Sequence, residues 1–272
     1  MSTVIFGSSG FLGNKISKLL KKEKKIEIST KNKKNIYKTN IFKKRYKHEK
    51  WISKIGKKDT LIILSNPGSI KFYSKNKKKI LLFENYLENR LFKKVNNKVR
   101  VIFLSSDMVF QGGKNIFLDN SKRLPKNSYG RSKRKIENKL SKYFSKLIIL
   151  RLPKIYSENL KDDTFYSQII RASRKKKITK LFVNQKMHYM NLKDFLVIIK
   201  KVIRKRSLKG SFNLPSKYLK SRYKISCEFI KRKDLNLNYL KPLNYKNARL
   251  NLPNQVKMKT NLYKKINFYP KY

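Results

Sequence analysis

The feature that most constrains the fold is a cluster of glycines near the start of the chain. The segment TVIFGSSGFLG spaces Gly7, Gly10 and Gly13 three residues apart, directly between a short β-type run at 3–6 and a helical apolar pattern. Gly7 would allow a tight turn, Gly10 would let the backbone approach a pyrophosphate, and Gly13 would let the helix pack closely on the strand. The chain holds only nine glycines, so three in this register predict a dinucleotide-binding βα turn.

Continuous apolar runs indicate the rest of the sheet. The runs at 59–65, 99–106 and 146–152 have no polar alternation, which is typical of strands buried on both faces of a parallel sheet. Helical apolar patterns at 80–91 and 136–144 separate them. This alternation predicts an α/β fold, a doubly wound parallel sheet of the Rossmann type with a smaller C-terminal substrate-binding lobe.

The rhythm of strands and helices loosens after about residue 157. We therefore expect a dinucleotide-binding Rossmann domain at 1–157 and a mainly substrate-binding lobe at 158–272. A helical pattern at 194–203 and a strand-like run at 210–215 indicate that a segment around 181–215 returns to the sheet.

The end of the second predicted strand bears on the choice of dinucleotide. NAD-binding proteins of this type usually carry a carboxylate there for the ribose 2′-hydroxyl. Here the position falls near Thr30 and is followed by Lys31, Lys33 and Lys34. A hydroxyl and cations suit a 2′-phosphate, so NADP(H) is favoured, with NAD(H) as the alternative.

A tyrosine and a lysine four residues apart form a candidate catalytic pair, although this spacing occurs four times. The copies are Tyr46/Lys50, Tyr73/Lys77, Tyr129/Lys133 and Tyr189/Lys193. Only Tyr129/Lys133 follows a buried strand ending in a serine, Ser106, where open α/β sheets place ligand contacts. Lysine one helical turn after tyrosine lies on the same face, so its charge can make the phenol a better acid.

The segment from Val101 to Glu137 resembles a known family. Its elements SSDMVFQG, at 105–112, and PKNSYGRSK, at 125–133, are similar to those of the extended short-chain dehydrogenase/reductases, above all the dTDP-4-dehydrorhamnose reductases. The resemblance implies an NAD(P)-dependent oxidoreductase that reduces a 4-keto sugar nucleotide, with Ser106, Tyr129 and Lys133 as catalytic residues and Tyr129 as the proton donor. The implied cofactor contacts are Gly7, Ser8, Gly10, Phe11, Leu12, Gly13, Thr30, Ser65, Tyr129 and Lys133.

Several residues depart from the family pattern and leave the substrate open. Lys154 occupies a position where the reductases have a tryptophan nearby, and Met108 and Gln111 replace the usual tyrosine and aspartate. Asn85, in contrast, matches the pattern, because it falls where the superfamily commonly keeps an asparagine. A nucleotide-sugar epimerase or dehydratase is the main alternative, because it shares the Ser-Tyr-Lys set. A non-catalytic regulatory or RNA-binding protein on the same scaffold is the second.

The formal charge of +56 is the most extreme number in the composition. It suggests a polyanionic partner, but the lysines are spread over nearly every segment and no RNA-binding motif accompanies them, which favours compositional bias and makes nucleic acid an unfavoured partner. The expected partners are a nucleotide-diphosphate sugar and a second copy of the chain. With one cysteine, no metal-ligand cluster and no long apolar stretch, we expect a soluble, cytoplasmic protein without a metal site.

Overall fold

The computed structural model describes residues 1–31, 36–42, 49–244 and 251–271. Its strands are β1 (Thr3–Phe6), β2 (Lys25–Ser29), β3 (Tyr37–Lys38), β4 (Thr60–Ile63), β5 (Arg100–Ser106), β6 (Ile116–Phe117), β7 (Leu147–Leu152), β8 (Lys154–Tyr156), β9 (Thr179–Phe182), β10 (Lys186–Asn191), β11 (Gly210–Asn213), β12 (Leu219–Ser221), β13 (Leu240–Leu243) and β14 (Lys257–Met258). Its helices are α1 (Phe11–Leu19), α2 (Lys50–Ser53), α3 (Ile70–Lys75), α4 (Lys77–Tyr86), α5 (Ser128–Tyr143), α6 (Phe165–Arg174), α7 (Leu192–Arg204), α8 (Arg222–Lys231) and α9 (Leu262–Ile266).

The chain forms two compact units, each built from three segments. The first consists of Met1–Val109, Asn127–Arg151 and Val202–Phe212, and the second of Phe110–Lys126, Leu152–Lys201 and Asn213–Tyr272. The chain therefore passes between the units several times. The sequence analysis placed a division near residue 157 and a return to the sheet around 181–215.

A seven-stranded sheet organises the first unit. Its strand order is β11-β7-β5-β4-β1-β2-β3, and the pairs of β1 with β2 and β4, of β4 with β5, and of β2 with β3 are parallel. Every residue of β1, β4 and β5 is buried, as their continuous apolar sequences predicted. The predicted doubly wound α/β fold is thereby confirmed, and residues returning late in the chain form the edge strand β11.

Aromatic packing fills one face of this sheet. Phe6 of β1 stacks on Trp51 and Tyr86, with ring centroids 5.8 Å and 6.0 Å apart. All three rings are at most 2% exposed. This core holds β1 rigidly and so fixes the point where the glycine turn leaves the sheet.

Small sheets and helices form the second unit. A three-stranded sheet has the order β12-β10-β8, with β10 antiparallel to β12 and parallel to β8. Two further pairs, β9 with β13 and β6 with β14, are parallel. Phe229 of α8 packs against Tyr156, Phe165 and Tyr166, which joins α8 to α6 and β8 in one aromatic core.

The described residues contain neither a candidate membrane span nor a candidate metal site. Among them, no helix is long and apolar enough to cross a membrane. Within the same ranges, no group of three or more His, Cys, Asp or Glu side chains could hold a metal ion.

Candidate active site at the carboxyl edge of the parallel sheet

The glycine turn after β1 adopts a backbone that depends on two of its glycines. Gly7 has φ +103°, which favours glycine, and its N–H donates to the Ile28 carbonyl at 2.9 Å. A Cβ on Gly13 would lie 2.9 Å from both the Gly7 carbonyl carbon and the Ser8 Cα, and closer still to the Gly7 oxygen. The turn therefore folds back so tightly onto α1 that Gly13 has no room for a side chain.

Gly10 has a different setting. It is the N-cap residue of α1, it is exposed, and no side chain accepts a hydrogen bond at this cap. The first turn of α1 also contains no acidic residue. An uncapped helix start with its positive dipole end free of carboxylates is suited to an anion.

The other candidate cofactor contacts lie around this turn. Ser8 is buried and its Oγ donates to the Ile28 carbonyl at 3.2 Å, so its side chain secures the turn to β2. Phe11 and Leu12 are half-buried at the start of α1, and Thr30 is exposed just beyond β2. Ser65 lies just beyond β4, the neighbour of β1 in the sheet. Its backbone nitrogen approaches Gly7 so closely that a Cβ on Gly7 would lie 2.8 Å away.

A contact between the turn and the end of β2 escaped the sequence analysis. The Ser29 Oγ donates to the Ser9 Oγ at 2.5 Å, and the Lys31 N–H donates to the Ser29 Oγ at 2.9 Å. Serines are common in turns, and no spacing in the sequence marked these two. Lys33 and Lys34, which the sequence analysis named beside Lys31, lie outside the described residues.

Helix α5 presents the candidate catalytic residues. It begins after Asn127, whose Oδ1 accepts the Gly130 N–H at 2.9 Å, so the cap fixes the turn that carries Tyr129. Tyr129 is half-buried, whereas Lys133 is 2% exposed. The Lys133 Nζ lies 5.7 Å from the centre of the Tyr129 ring and donates to the Leu104 carbonyl at 3.3 Å.

Ser106 completes this group at the end of β5. Its side chain is near enough to Tyr129 to act on the pKa of that residue. The Ser106 Oγ also lies 3.0 Å from Asp107 Oδ1 and accepts the Met108 N–H at 3.2 Å. The structure therefore brings together Ser106, Tyr129 and Lys133, the three residues that the sequence analysis named.

Burial shapes the protonation of the tyrosine and the lysine. Desolvation raises the pKa of Tyr129 to about 12, with the Ser106 side chain acting in the opposite direction and the Asp107 charge in the same one. Desolvation lowers the pKa of Lys133 to about 8, against the attraction of Glu137. At neutral pH the pair is thus a neutral phenol beside an ammonium ion, an arrangement that can donate a proton.

A buried ion pair supports α5 from below. Arg151 of β7 donates from its Nη2 to Glu137 Oε2 at 3.1 Å, and the two side chains are 3% and 0% exposed. The Ser105 hydroxyl also donates to Glu137. Because Glu137 lies one turn after Lys133, this pair fixes the helix face that carries the lysine to β5 and β7.

The sheet order places the glycine turn and the catalytic group on one edge. Strands β5, β4, β1 and β2 are neighbours in that order and parallel, so their carboxyl ends meet at the same edge. Ser106, Ser65, Gly7 and Thr30 stand at or just beyond these ends. Since adjacent strands are about 4.8 Å apart, the row is of a length that an extended dinucleotide can follow.

The residues of this row fit a nicotinamide dinucleotide. The exposed, uncapped Gly10 leaves open space at a helix start, and no carboxylate of the first turn of α1 would repel a phosphate. The candidate catalytic residues Tyr129 and Lys133 belong to the same compact unit as the glycine turn.

The other copies of the tyrosine–lysine spacing are arranged differently. Tyr73 lies in helix α3 and not in a connecting segment as expected, and it is 1% exposed, whereas Lys77 is exposed. Tyr189 is buried in β10 and Lys193 is exposed in α7. Tyr46 of the fourth copy lies outside the described residues.

Position 85 also differs from the resemblance. Asn85 is exposed on α4, and its neighbour Glu84 is the buried side chain. Glu84 accepts the Ser132 hydroxyl at 2.7 Å and pairs with Lys135 at 2.6 Å. A step of one residue rotates a helix position by about 100°, so Glu84 takes the place facing α5. The sequence patterns indicated no role for Asp107, Glu137 or Glu84, and they marked Tyr73 only as one of the non-catalytic copies of the tyrosine–lysine spacing.

The positions that depart from the family pattern have different environments. Lys154 is exposed in β8, Gln111 is exposed, and Met108 is buried beside Asn127, whose Nδ2 lies 3.9 Å from its sulfur.

Comparisons with solved structures show the same fold. The dTDP-4-dehydrorhamnose reductase of Bacillus anthracis in complex with NADP is 17% identical, with a TM-score of 0.78 over 99% of this chain and 94% of that one. The dTDP-4-dehydrorhamnose reductase of Yersinia enterocolitica is 19% identical, with a TM-score of 0.79 and coverages of 99% and 94%. MoeE5 in complex with UDP-glucuronic acid and NAD is 15% identical, with a TM-score of 0.82 and coverages of 100% and 94%. No curated protein sequence matches the chain.

A family match covers most of the chain. Residues 93–270 match the family described as RmlD substrate binding domain, a range that includes Ser106, Tyr129 and Lys133 as well as the second unit from Phe110 onward. This match confirms the resemblance inferred from the sequence, and the chain belongs to the RmlD substrate binding domain family.

Proposed function

We propose that the protein is an NAD(P)-dependent sugar-nucleotide oxidoreductase that reduces a 4-keto sugar, as in dTDP-4-dehydrorhamnose reductases. The observation that carries the proposal is the meeting of Ser106, Tyr129 and Lys133 at the end of β5, on the sheet edge that also bears the glycine turn. The family match and the fold support it.

The proposed chemistry assigns one task to each side chain. A bound nicotinamide cofactor supplies the hydride. Tyr129, neutral at neutral pH because its pKa is raised to about 12, donates its phenolic proton to the keto oxygen as negative charge develops there. The Ser106 hydroxyl hydrogen-bonds the same oxygen and orients it. The ammonium of Lys133 stabilises the phenolate that forms, because an adjacent positive charge favours the ionised phenol.

A matched pair of tyrosine variants tests the catalytic assignment. We expect wild type to oxidise NADPH in the presence of dTDP-4-keto-6-deoxysugars and Tyr129→Phe to lose at least 100-fold in kcat, within the usual range for a general acid (about 10²–10⁴). Tyr143→Phe is the control, since Tyr143 lies on the same helix and packs on Phe92 at 5.9 Å. Equal rates for wild type and Tyr129→Phe would refute the catalytic role. Cofactor binding that survives in Tyr129→Phe would separate binding from chemistry.

The preference for NADP(H) over NAD(H) is a further part of the proposal. Thr30 and Lys31 are exposed beyond β2, and Lys31 is held there through its N–H to Ser29. A hydroxyl and a cation suit the 2′-phosphate of NADP. Lys31→Glu should weaken NADPH binding more than NADH binding in paired calorimetric titrations, and an unchanged ratio of the two dissociation constants would count against this choice.

An epimerase or dehydratase acting on a nucleotide sugar is the second candidate, because the same three side chains serve both reactions. It predicts a cofactor that stays bound through purification and turnover without added NADPH.

We further propose that the second unit forms the lobe for the nucleotide sugar. We also propose that the protein works as a homodimer, and size-exclusion chromatography with light scattering would test this oligomeric state.

A further inference from the structure

Tyr73 packs directly against Tyr129, and the proposed chemistry gives it no task. It lies in helix α3 and is 1% exposed. Its ring meets the Tyr129 ring edge to face, with the centroids 5.1 Å apart and an interplanar angle of 86°. This is the favoured geometry of an aromatic pair, because the positive edge of one ring faces the negative face of the other.

Hydrogen bonds hold the Tyr73 hydroxyl at a junction of two segments. It donates to Asn66 Oδ1 at 2.8 Å, and the Asn66 Nδ2 in turn donates to the Gly68 carbonyl at 2.8 Å. Burial raises the pKa of Tyr73, and the nearby Ser132 side chain of α5 acts in the opposite direction. Through Asn66 and through the Tyr129 ring, Tyr73 thereby connects the segment that follows β4 with the helix that carries Tyr129.

The Ser132 side chain on α5 is itself anchored. Ser132 donates to Glu84 Oε1 at 2.7 Å, and Glu84 is 6% exposed and paired with Lys135. Ser132 lies between Tyr129 and Lys133 in sequence and within one turn of both. The Tyr129 ring therefore contacts a tyrosine whose hydroxyl is held by Asn66, and the helix that carries Tyr129 is anchored to Glu84 through Ser132.

We propose that Tyr73 is a positioning residue that fixes the Tyr129 ring so that its hydroxyl stays beside Ser106. The inference rests on the proposed function for its catalytic meaning, although the contact itself does not. Tyr73 is not a second acid, since its own hydroxyl donates to Asn66 Oδ1. Its effect reaches the reaction only through the placement of Tyr129, where an error of about 1 Å can cost on the order of 100-fold in rate.

The test separates ring placement from activity. 3-Fluorotyrosine would be incorporated at position 129 and observed by ¹⁹F NMR in wild type, Tyr73→Phe and Tyr73→Leu. Tyr73→Phe retains the ring contact, so its ¹⁹F line should remain single and close to the wild-type shift. Tyr73→Leu removes the ring, so the line should move and broaden or split as the Tyr129 ring samples several orientations. Tyr73→Met serves the same purpose if Tyr73→Leu does not fold.

Kinetics and a control complete the experiment. For unlabelled Tyr73→Leu we expect kcat to fall at least 10-fold while the dissociation constant for NADPH stays within about 3-fold, a split that loss of packing in general would not give. Tyr143→Leu is the control, because it removes a half-buried ring from the same helix and should leave the ¹⁹F line of residue 129 unchanged. An unchanged line in folded Tyr73→Leu or Tyr73→Met would overturn the proposal. A changed line in a protein that has no reductase activity would support the positioning contact and refute only the proposed function.

Discussion

Substitutions at two glycines of the same turn should separate folding from cofactor binding. A Cβ on Gly10 would have the Gly7 oxygen as its nearest neighbour, at 3.4 Å, which is ordinary contact, and the backbone at φ −70° accepts alanine. The three atoms nearest to a Cβ on Gly13 would all belong to the backbone, with the Gly7 carbonyl carbon and the Ser8 Cα at 2.9 Å and the Gly7 oxygen closer still. Gly10→Ala fits the protein, whereas Gly13→Ala forces the turn to move.

The magnitudes follow from these contacts. For Gly10→Ala, the reduced freedom of the unfolded chain contributes about 0.4–1 kcal/mol of stability, and the poorer N-cap offsets a similar amount. The free energy of unfolding should therefore change by less than about 1 kcal/mol. Gly13→Ala should lose about 3 kcal/mol, the upper end for overpacking, because backbone cannot rotate away as a side chain can. If a phosphate approaches Gly10, the added methyl removes a charged hydrogen bond of about 1.5–3 kcal/mol, or roughly 10- to 100-fold in affinity.

Urea unfolding and calorimetric titration with NADPH measure the two effects on the same preparations. Gly56→Ala is the control. Its added Cβ would lie at an ordinary contact distance of 3.5 Å from the Asp59 carboxylate. Gly56 also precedes β4, so it lies at the opposite end of that strand from Ser65. It should bind NADPH as wild type does. Wild-type affinity in a folded Gly10→Ala variant would refute the reasoning that a phosphate lies over the turn. Unchanged stability of Gly13→Ala would refute the packing argument.

The remaining predictions concern pH and salt. The pKa of Lys133 is lowered to about 8, so kcat should fall as the pH rises through 8 and the ammonium is lost, and a flat profile from pH 7 to 9 would contradict this. Burial lowers the pKa of His188 to about 4, and its neutral Nε2 accepts the Met258 N–H at 3.1 Å. A histidine in the unfolded chain titrates near 6.5, so the stability that neutral His188 contributes is present above pH 6.5 and is lost as the pH falls towards 4, by up to about 3 kcal/mol. In urea unfolding, the free energy of unfolding of His188→Gln should therefore decline less steeply with acid than that of wild type. Because salt screens the repulsion that a formal charge of +56 produces, the melting temperature should be higher in about 200 mM NaCl than in about 10 mM NaCl. An unchanged melting temperature would show that this repulsion is unimportant.

The sequence predicted the central strands well because their burial leaves a simple signature. Strands β1, β4 and β5 lie inside the sheet, and each contains a continuous apolar run without polar alternation. The short strands β3, β6 and β14 have two residues each, too few for any period to be recognised. Strand β6 also pairs with β14, which lies near the other end of the chain, so local patterns could not predict that pairing.

The residues of the candidate site differ in the same way: local patterns predicted some of them, whereas others depend on how distant elements pack. Ser106, Tyr129 and Lys133 could be predicted because the serine ends a recognisable strand and the other two share a helix face. Tyr73 could not, since its contact with Tyr129 depends on how α3 packs against α5. Glu84 was missed for a related reason, because an uncertainty of one residue in the phase of α4 exchanges a buried position for an exposed one.

The distribution of carboxylates shows which charges the fold depends on. Of fifteen acidic residues, five are buried, namely Asp59, Glu84, Asp107, Glu137 and Asp194. An exposed ion pair contributes about 0–1 kcal/mol, so a surface can be mostly lysine at little cost per site. A buried carboxylate differs, because removing it leaves its buried partners without a counter-charge or acceptor, at a cost of about 3–5 kcal/mol for an ion pair. Glu84 and Glu137 both anchor α5, through Ser132 and through Arg151, and α5 carries Tyr129 and Lys133. The large positive charge is therefore compatible with an ordered site: the repulsion acts on the surface, while the few acids that remain inside hold the helix on which the proposed chemistry depends.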